Sequence, residues 1–363
     1  MLYSKQKVAK AVLVLIFFTV VLIGITLVSL NNGRNGTRSL RSFVSEDTST
    51  SPESIDEALQ YFIYGAKYLL AAVKSTVSDN SANITAVSHS ITVVKDRMQM
   101  LLSEFEHHLH RTEILSFLSL PVINNHNFSY IYNREDICSK KAVKLVFVVP
   151  SAPGNVEKRQ TVRKGSRGDY VRKNANNTIL LFFLGKPSPG SNYLSLQTKI
   201  DEEVKEFGDI IQADFEDVYS NNRLKSVSML RWISTYCSTA KFVIRADDDV
   251  NITTVEVVSA LERAAETLSN FIIGHKLIAD RPSRNVKNKY YLSKKEYPPP
   301  TFPPYLLGGL LVYPVSTAKL LYQAALRVKP IWLEDVYITG ICATKVYIPI
   351  LSDPGVVFQH RKS

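Results

Sequence analysis

Cysteine is scarce in this chain: only Cys138, Cys237 and Cys342 occur among 363 residues. Three cysteines permit at most one intramolecular disulfide, and the sequence alone does not identify the pair. The composition, 45 % hydrophobic and 21 % charged, is ordinary for a globular protein and excludes a chain that is mainly disordered. A chain of this length can bury a large core in one or two domains.

The chain also lacks a nucleic-acid-binding signature, although its net charge is +11. Its longest basic clusters, KRQTVRKGSR and SRNVKNKYYLSKK, are short, and no nucleic-acid fold motif accompanies them. We therefore expect no nucleic-acid partner. A solvated basic face is the simplest explanation of the charge, and attraction for an anionic ligand such as a nucleotide diphosphate is the alternative.

Charge is absent from residues 11–30, AVLVLIFFTVVLIGITLVSL. As a helix this segment spans ~30 Å, the thickness of a bilayer core. A cleaved signal peptide would have an apolar region of only about 7–15 residues and a small-residue cleavage site. The sequence therefore predicts an uncleaved transmembrane signal-anchor behind a cytoplasmic tail of residues 1–10. Three lysines before the anchor and three arginines after it leave its orientation open on charge alone.

Glycosylation triplets supply the orientation. The sequence Asn-x-Ser/Thr occurs at Asn35, Asn83, Asn127, Asn176 and Asn251. Five such triplets, three of them before residue 130, indicate that the bulk of the chain lies in the secretory lumen. With no second apolar span in the sequence, the prediction is a single-pass type II protein.

Residues 31–140 are interpreted as a lumenal stem. Residues 31–53 are polar and resemble a flexible tether. Two apolar stripes at helical spacing follow, one within residues 59–73 and the other within residues 94–109. They predict a helix hairpin that spaces the body from the membrane and could pair with a second copy of the chain.

The pattern changes near Lys141. Three unbroken apolar runs, within AVKLVFVVP, NTILLFFLG and KFVIRADDD, alternate with the helical segments YLSLQTKIDEEVKEFG and NNRLKSVSMLRWISTYC. Strands of this kind between helices predict an α/β fold with a parallel-rich sheet covered on both faces. In such sheets, ligands bind at the carboxyl ends of the strands.

Three consecutive carboxylates, Asp247, Asp248 and Asp249, stand at such a strand end. At ~5 Å and an effective dielectric near 20, each pair repels by roughly 3 kcal/mol. A divalent cation would compensate this repulsion, whereas a helix cap or a turn is the alternative use of such aspartates. A second acid pair, Glu334 and Asp335, follows a later apolar run. Acids that converge from separate segments suggest that one set holds a cation and the other accepts a proton.

Six blocks carry a family resemblance: AVKLVFVVPSAPGNVEKRQTVR, LLFFLGK, EEVKEFGDIIQADFEDVYSN, LKSVSMLRWISTYCSTAKFVIRADDDV, PPYLLGGLLVYP and EDVYITGICA. In this order they resemble the β-1,3-glycosyltransferases of family 31, the group named for galactosyltransferases, over about residues 141–362. The resemblance implies a GT-A type, Rossmann-like nucleotide-sugar-binding fold for the catalytic domain, residues 141–363. It also implies a type II Golgi membrane enzyme with a lumenal catalytic domain.

The resemblance implies an inverting hexosyltransferase that moves a sugar from a UDP-sugar to a hydroxyl of a glycoprotein or glycolipid glycan, forming a β-1,3 linkage. Galactose is the first choice of donor sugar, with N-acetylglucosamine and N-acetylgalactosamine as alternatives. A catalytically silent, glycan-binding family member is a rival, which the loss of Asp249 or Asp335 would mark, and both are present. A calcium-binding adhesion protein would need more oxygen ligands than the following NITTVEVV supplies.

The resemblance also implies roles for individual residues. Asp247, Asp249 and His360 would hold Mn²⁺ or Mg²⁺, which neutralises charge on the departing UDP. Asp335 would be the general base, and Glu334 would orient Asp335 or the acceptor. The donor-binding candidates are Arg159, Arg163, Asp214, Lys225 and Asp248, and the sugar-pocket candidates are Gly308 and Gly309, where the lack of a side chain permits close approach.

Several features depart from the family pattern, two of them near the expected site. Asn251 stands where an aromatic residue often follows the DDDV sequence, and its glycosylation triplet lies too close to the expected site to carry a glycan. The segment Ala279–Thr301, with two basic clusters and the sequence YPPP, is unlike the family. The choice of acceptor is therefore left open by the sequence.

Overall fold

The structure is a computed structural model that describes residues 110–127 and 129–361. The predicted tail, signal-anchor, tether and helix hairpin, together with Asn35 and Asn83, lie outside the described residues. Within the described ranges, no helix is both long and apolar enough to cross a membrane. The chain divides after Glu113 into two units, and the second, which starts at Ile114, contains every element named below.

Strands and helices alternate through most of the second unit. In chain order they are β1 (Tyr130–Tyr132), β2 (Leu145–Pro150), α1 (Val156–Lys164), α2 (Ser166–Lys173), β3 (Thr178–Lys186), α3 (Tyr193–Phe207), β4 (Ile210–Glu216), α4 (Asn222–Tyr236), β5 (Phe242–Ala246), β6 (Val250–Asn251), α5 (Thr254–Ala265), β7 (Ile272–Leu277), β8 (Tyr305–Pro314), α6 (Val315–Ala325), a π-helix (Val336–Cys342), α7 (Ala343–Lys345), β9 (Ile350–Leu351) and β10 (Gln359–His360). The three strands and two helices predicted from apolar runs are all present.

Eight of the strands form one mixed sheet in the order β1-β4-β3-β2-β5-β8-β7-β9. Strands β4, β3, β2 and β5 run parallel, whereas β8 is antiparallel to both β5 and β7. The predicted α/β class with a parallel-rich sheet is confirmed. Because β8 reverses direction, its first residues lie beside the carboxyl end of β5, where Ala246 pairs with Leu310.

Helices cover both faces of the sheet because successive side chains of a strand point to opposite sides. Val146 and Val148 of β2 pack into a core with residues of α4 and α6. Leu145 and Phe147 of the same strand pack on the other side with residues of α5. The unbroken apolar runs in the sequence therefore report strands that are buried on both faces.

One strand of the sheet, β1, lies before residue 141, where the sequence places the start of the catalytic domain. Tyr130 of β1 pairs with Ala213 of β4, and its hydroxyl donates to the carbonyl of Ser228 at 2.9 Å. The three-residue strand Tyr-Ile-Tyr is too short to show a period-two pattern. A disulfide joins Cys138, in the segment before β2, to Cys237 at the end of α4, and Cys342 is buried as a free thiol.

Candidate functional site

The backbone of the three-aspartate turn is held by a buried arginine of α2. Arg167 is 2 % exposed, and its guanidinium donates to the carbonyls of Ala246, Asp247 and Val250, each at 3.0 Å. Burial lowers the pKa of Arg167 to about 10, so the group is still charged at neutral pH. Three carbonyl acceptors fix the path of the chain from β5 into β6, a role that the sequence did not reveal.

The middle aspartate, Asp248, points into the protein. Its Oδ2 accepts hydrogen bonds from Ser151 Oγ at 2.6 Å and Asn155 Nδ2 at 2.9 Å. Asp248 is 5 % exposed, so its carboxylate ties the end of β2 to the turn. Its Oδ1 lies 3.8 Å from Lys158 Nζ, and donor binding by this side chain stays a prediction from the resemblance.

The third aspartate, Asp249, faces outward and meets the C-terminal strand. Strand β10 pairs with β6, which sets His360 opposite Val250. His360 Nδ1 lies 3.8 Å from Asp249 Oδ1, and both side chains are accessible to solvent. A carboxylate oxygen and an imidazole nitrogen suit Mn²⁺. The structure therefore brings together two of the three predicted metal ligands, across more than a hundred residues of sequence.

Phe358 docks the C-terminal strand onto the sheet. A Cβ atom on Gly309 would lie 2.4 Å from Cζ of Phe358, so only glycine leaves room for the ring. The ring of Phe358 packs edge-on against the imidazole of His360, with 5.5 Å between centroids. Gly309 therefore makes room for the ring of Phe358, which in turn contacts His360. Gly309 also lines the cavity described below.

The first aspartate, Asp247, turns away from the other two and toward Arg245. Arg245 Nη1 lies 3.2 Å from Asp247 Oδ1, and Arg245 Nη2 lies 2.8 Å from Glu334 Oε1. The metal-ligand role expected for Asp247 is not supported by this placement. Among the residues that the structure describes, no group of three His, Cys, Asp or Glu side chains is arranged to hold a metal ion. Asp249 and His360 are the two predicted ligands that lie together, and oxygen atoms of a bound ligand would complete the coordination of a metal ion.

Arg245 is the link between the two acid clusters. It is 5 % exposed and sits in β5 among apolar neighbours. Burial alone would lower the pKa of Arg245, but the charges of Asp247 and Glu334 outweigh burial and raise it. Burial raises the pKa of Asp247 to about 6 despite the opposing effect of Arg245. The second oxygen of Glu334 accepts from Ser226 Oγ at 2.5 Å, which fixes that carboxylate.

Asp335 lies immediately before the π-helix and beside Glu334. Burial and the adjacent charge of Glu334 raise its pKa to about 7, against the opposing effects of Arg245 and the backbone N–H of Gly308. A Cβ atom on Gly308 would lie 2.4 Å from Asp335 Oδ1 and 2.7 Å from Arg245 Nη1. Glycine at this position is therefore what allows the carboxylate to approach β8. A pKa near neutrality suits a general base.

Asp247, Glu334 and Asp335 open into one cavity of about 530 Å³ at the carboxyl end of β5. Gly308 and Gly309, the two predicted sugar-pocket residues, line it. The remaining lining residues are Tyr219, Asn222, Asp280, Arg281, Ser283, Asn288, Tyr290, Phe302, Tyr305, Leu307, Trp332, Leu333 and Val336. Many of them come from the segment after β7, which the sequence marked as unlike the family.

Two arginines expected near the donor are instead part of the protein interior. Arg159 is 0 % exposed, and its guanidinium contacts Glu203 at 2.6 Å and the carbonyl of Ala152 at 2.7 Å. Arg163 pairs with Glu203 and with Asp209, each at 2.7 Å. These contacts join α1, α3 and the start of β4. The donor groups of both arginines contact partners inside the fold, and their donor-binding roles stay predictions from the resemblance.

Asp214 and Lys225 do not pair with each other. Asp214 points outward from β4 and pairs with Lys186 at 2.5 Å. Lys225 is buried, pairs with Asp217 at 2.7 Å and donates to the carbonyl of Ser151 at 2.8 Å. Asp217, three residues after Asp214, is a buried carboxylate that the sequence did not single out. Neither predicted donor-binding residue lines the cavity.

Lys158 is a site residue that the sequence did not single out. Its Nζ lies 3.3 Å from Asp249 Oδ2 and 3.8 Å from Asp248 Oδ1. It is therefore a cation already placed beside the carboxylate of the predicted metal site. The signal in the sequence was weak because Lys158 is one of several basic residues in the KRQTVRK cluster.

Two of the glycosylation candidates are exposed in the structure, Asn127 and Asn176. Asn251 lies in β6, and its Oδ1 accepts from Arg361 Nε at 2.8 Å. The backbone N–H of Arg361 donates to the carbonyl of Asp249 at 2.8 Å. Asn251 is exposed as well, and a glycan on its Nδ2 would stand beside Asp249 and His360, so its exclusion from the glycosylation sites stays a prediction.

Comparisons with known proteins point in one direction. A family model described as Galactosyltransferase matches residues 157–354. β-1,3-Galactosyltransferase 1 of Mus musculus is 30 % identical over 241 residues, which cover 66 % of this chain and 71 % of that protein. Lactosylceramide 1,3-N-acetyl-β-D-glucosaminyltransferase of Xenopus tropicalis is 32 % identical over 238 residues, covering 65 % of this chain and 61 % of that protein.

Proposed function

This chain belongs to the galactosyltransferase family, and from that membership we propose that it is an inverting β-1,3-hexosyltransferase with a GT-A type fold. It moves a sugar from a UDP-sugar to a hydroxyl of a glycan. Galactose is the first choice of sugar, and the N-acetylhexosamines are the alternatives, since the relatives include both kinds of transferase by name. The observation that carries the proposal is a carboxylate with a near-neutral pKa, Asp335, facing the same cavity as Asp247.

In the proposed reaction, Asp335 removes the proton from the acceptor hydroxyl. The acceptor oxygen then forms a bond to the anomeric carbon while the bond from that carbon to UDP breaks on the opposite face, so an α-linked donor gives a β-linked product. Glu334, fixed by Arg245 and Ser226, keeps a negative charge beside Asp335 and so keeps it basic. Arg167 holds the backbone of the aspartate turn in place.

Asp249 and His360 are the residues that would hold Mn²⁺ or Mg²⁺. When bound, such an ion supplies positive charge to the departing diphosphate. Asp248 anchors the turn from inside, and Asp247 remains with Arg245. This division of roles among three consecutive aspartates differs from the pairing of Asp247 with Asp249 that the sequence suggested.

We propose the Golgi membrane as the location, with residues 1–10 in the cytoplasm, residues 11–30 as the anchor and a helical stem before a lumenal catalytic domain. The charge-free run of residues 11–30 and the glycosylation triplets support this arrangement. Self-association through the stem is part of the same proposal.

A donor screen tests the proposed function. Thermal unfolding of the full-length chain is measured with Mn²⁺ and UDP-galactose, UDP-N-acetylglucosamine or UDP-N-acetylgalactosamine. At 100 times its dissociation constant, a ligand stabilises the folded state by about 2.7 kcal/mol, which raises Tm by roughly 5–10 °C for a body of this size. We expect one donor to give this shift and UDP-glucose to give less. The absence of a shift with every nucleotide sugar would contradict the proposal.

Lys158 is expected to compete with the metal ion in the nucleotide-free protein. Removing its ammonium in Lys158→Ala should tighten Mn²⁺ binding roughly two- to fivefold, the range of a partly exposed ion pair. Free Mn²⁺ measured by electron paramagnetic resonance gives the affinity directly. Lys164→Ala is the matched control, because Lys164 is an exposed lysine at the end of the same helix. Equal affinities in the two variants would show that Lys158 does not influence the site.

A further inference from the structure

Three aromatic residues from distant parts of the chain meet at the cavity that contains Asp335. Tyr219 lies between β4 and α4, Tyr290 lies between β7 and β8, and Trp332 lies three residues before Asp335. All three line the cavity. The rings of Tyr219 and Trp332 are in contact, with 6.1 Å between their centroids and 62° between their planes. Aromatic surface therefore borders the space next to the proposed base.

The polar atoms of these side chains have partners within the protein. Trp332 Nε1 donates to the carbonyl of Tyr291 at 3.0 Å, and the hydroxyl groups of Tyr219 and Tyr290 form a hydrogen bond with each other. These bonds hold the rings in place, so the rings offer a ligand apolar surface. Tyr219 is 56 % exposed and Tyr290 is 44 % exposed. Exposed rings that line a cavity beside a titratable group indicate a ligand-binding surface.

The charged part of the cavity is mainly acidic. Four carboxyl groups line it, those of Asp247, Asp280, Glu334 and Asp335. Arg281 is the only basic residue of the described lining. Arg245 adds one positive charge, which it shares between Asp247 and Glu334. Acids therefore outnumber cations, and the cavity disfavours a ligand that carries negative charge.

Aromatic surface beside carboxylates suits an uncharged saccharide. The C–H bonds on one face of a pyranose ring meet the negative face of an aromatic ring favourably. The hydroxyl groups of the sugar donate hydrogen bonds to carboxylates. The diphosphate of the donor is expected at Asp249 and His360, which do not line the cavity. The sugar that meets Asp335 in the proposed reaction is the acceptor, so the aromatic surface is on the acceptor's side.

We propose that Trp332 and Tyr219 form the binding surface for the acceptor sugar, and that this sugar is uncharged. Trp332 stacks on the C–H face of the sugar whose hydroxyl meets Asp335, and Tyr219 contacts the same sugar. This inference rests on the proposed transferase function. It assigns to that function two specificity-determining residues and an acceptor class.

Tryptophan fluorescence tests the inference without requiring turnover. The chain contains two tryptophans, and Trp232 is 0 % exposed, so a change on adding a saccharide reports Trp332. The full-length chain is titrated with methyl β-galactoside and methyl β-N-acetylglucosaminide, and with the uronic acid of each, in which C6 is a carboxylate. Each titration is made with and without UDP and Mn²⁺. We expect a saturable change with at least one uncharged sugar, about tenfold weaker binding of its uronic acid, and no change in Trp332→Phe.

Acceptor kinetics test the same residues during transfer. Trp332→Ala should raise KM for the acceptor by about tenfold, and Trp332→Phe should raise it less because it keeps a ring. Tyr219 is exposed, so Tyr219→Ala removes its ring without disturbing the core, and it should raise the same KM by about threefold. Tyr219→Phe keeps the ring and should have a KM close to that of the unaltered chain. KM for the UDP-sugar should be unchanged in all four variants.

Tyr193→Ala is the matched control, since Tyr193 is a half-buried tyrosine of α3 that does not line the cavity. We expect it to leave KM for the acceptor unchanged. The inference would be overturned by a constant Trp332 fluorescence with every sugar or by uronic acids that bind as tightly as their parent sugars. A raised KM for the UDP-sugar in place of the acceptor, or the same loss in Tyr193→Ala, would also overturn it.

Binding and turnover together separate this inference from the proposed function. Trp332-dependent binding of a saccharide with no transfer to any acceptor would reject the transferase proposal and retain the saccharide site. Transfer with an unchanged acceptor KM in both Trp332→Ala and Tyr219→Ala would do the reverse.

Discussion

Asp335→Asn is expected to lower kcat for sugar transfer by about 10³-fold, the usual contribution of a general base. The amide keeps the shape of the side chain and can still accept the N–H of Gly308, but it cannot take the proton of the acceptor hydroxyl. Binding of UDP with Mn²⁺ should be preserved, because Asp249, His360 and Lys158 are untouched. Transfer rates and UDP affinity, measured on the same preparation, check both parts.

The pH profile distinguishes loss of a base from general damage. The base works only when ionised, so log(kcat/KM) of the unaltered chain should rise with pH below the pKa of Asp335, about 7, and level off above it. In Asp335→Asn this rise should disappear from the residual activity. Asp214→Asn is the control, because it makes the same chemical change at an exposed pair with Lys186. Full activity in Asp335→Asn would require another base.

The sequence predicts the secondary-structure elements that have a clear hydrophobic pattern. Strands β2, β3 and β5 are continuous apolar runs because both faces of the sheet are covered, and such runs are visible in any window of the chain. The aspartates after β5 and the acid pair before the π-helix also stand out in the sequence, because each group of charges directly follows an apolar run.

The sequence predicts less well which charged residues face a ligand. In the sequence, Arg159 and Arg163 look like residues that bind an anionic ligand. In the structure they pair with Glu203 of α3 and with Asp209, which directly precedes β4. The alternation of side chains along β4 and the turn after it decide that Asp217, and not Asp214, meets Lys225. These pairings depend on how distant segments pack, which local patterns do not encode.

The sequence also carries a signal for the role of Arg245. It is the one cation within the apolar run FVIRA, and a charge in a strand buried on both faces needs a partner. Two acid groups already stood out in the sequence. Arg245 is separated from Asp247 by a single residue, so a link between the two acid groups through this arginine was predictable. The distances between the charged groups were not.

Replacing Arg245 has the second large expected effect, which is on stability. Arg245→Met should lower the free energy of unfolding by about 3–5 kcal/mol, because it leaves Glu334 and Asp247 without their buried partner. Urea unfolding of the body gives this quantity from the shift in midpoint at constant slope. Arg245→Lys keeps one charge and should lose less.

A second substitution tests whether the cost comes from unpaired charge or from lost packing. If Glu334 is destabilising because its carboxylate has no partner, Arg245→Met/Glu334→Gln should recover part of the loss, since the amide removes the charge and retains the hydrogen-bond contact with Ser226. If the double variant is as unstable as the sum of the two single variants, the packing of Arg245 in β5 is responsible. In that case the volume and apolar contacts of Arg245 in β5, and not its charge, would account for the loss of stability.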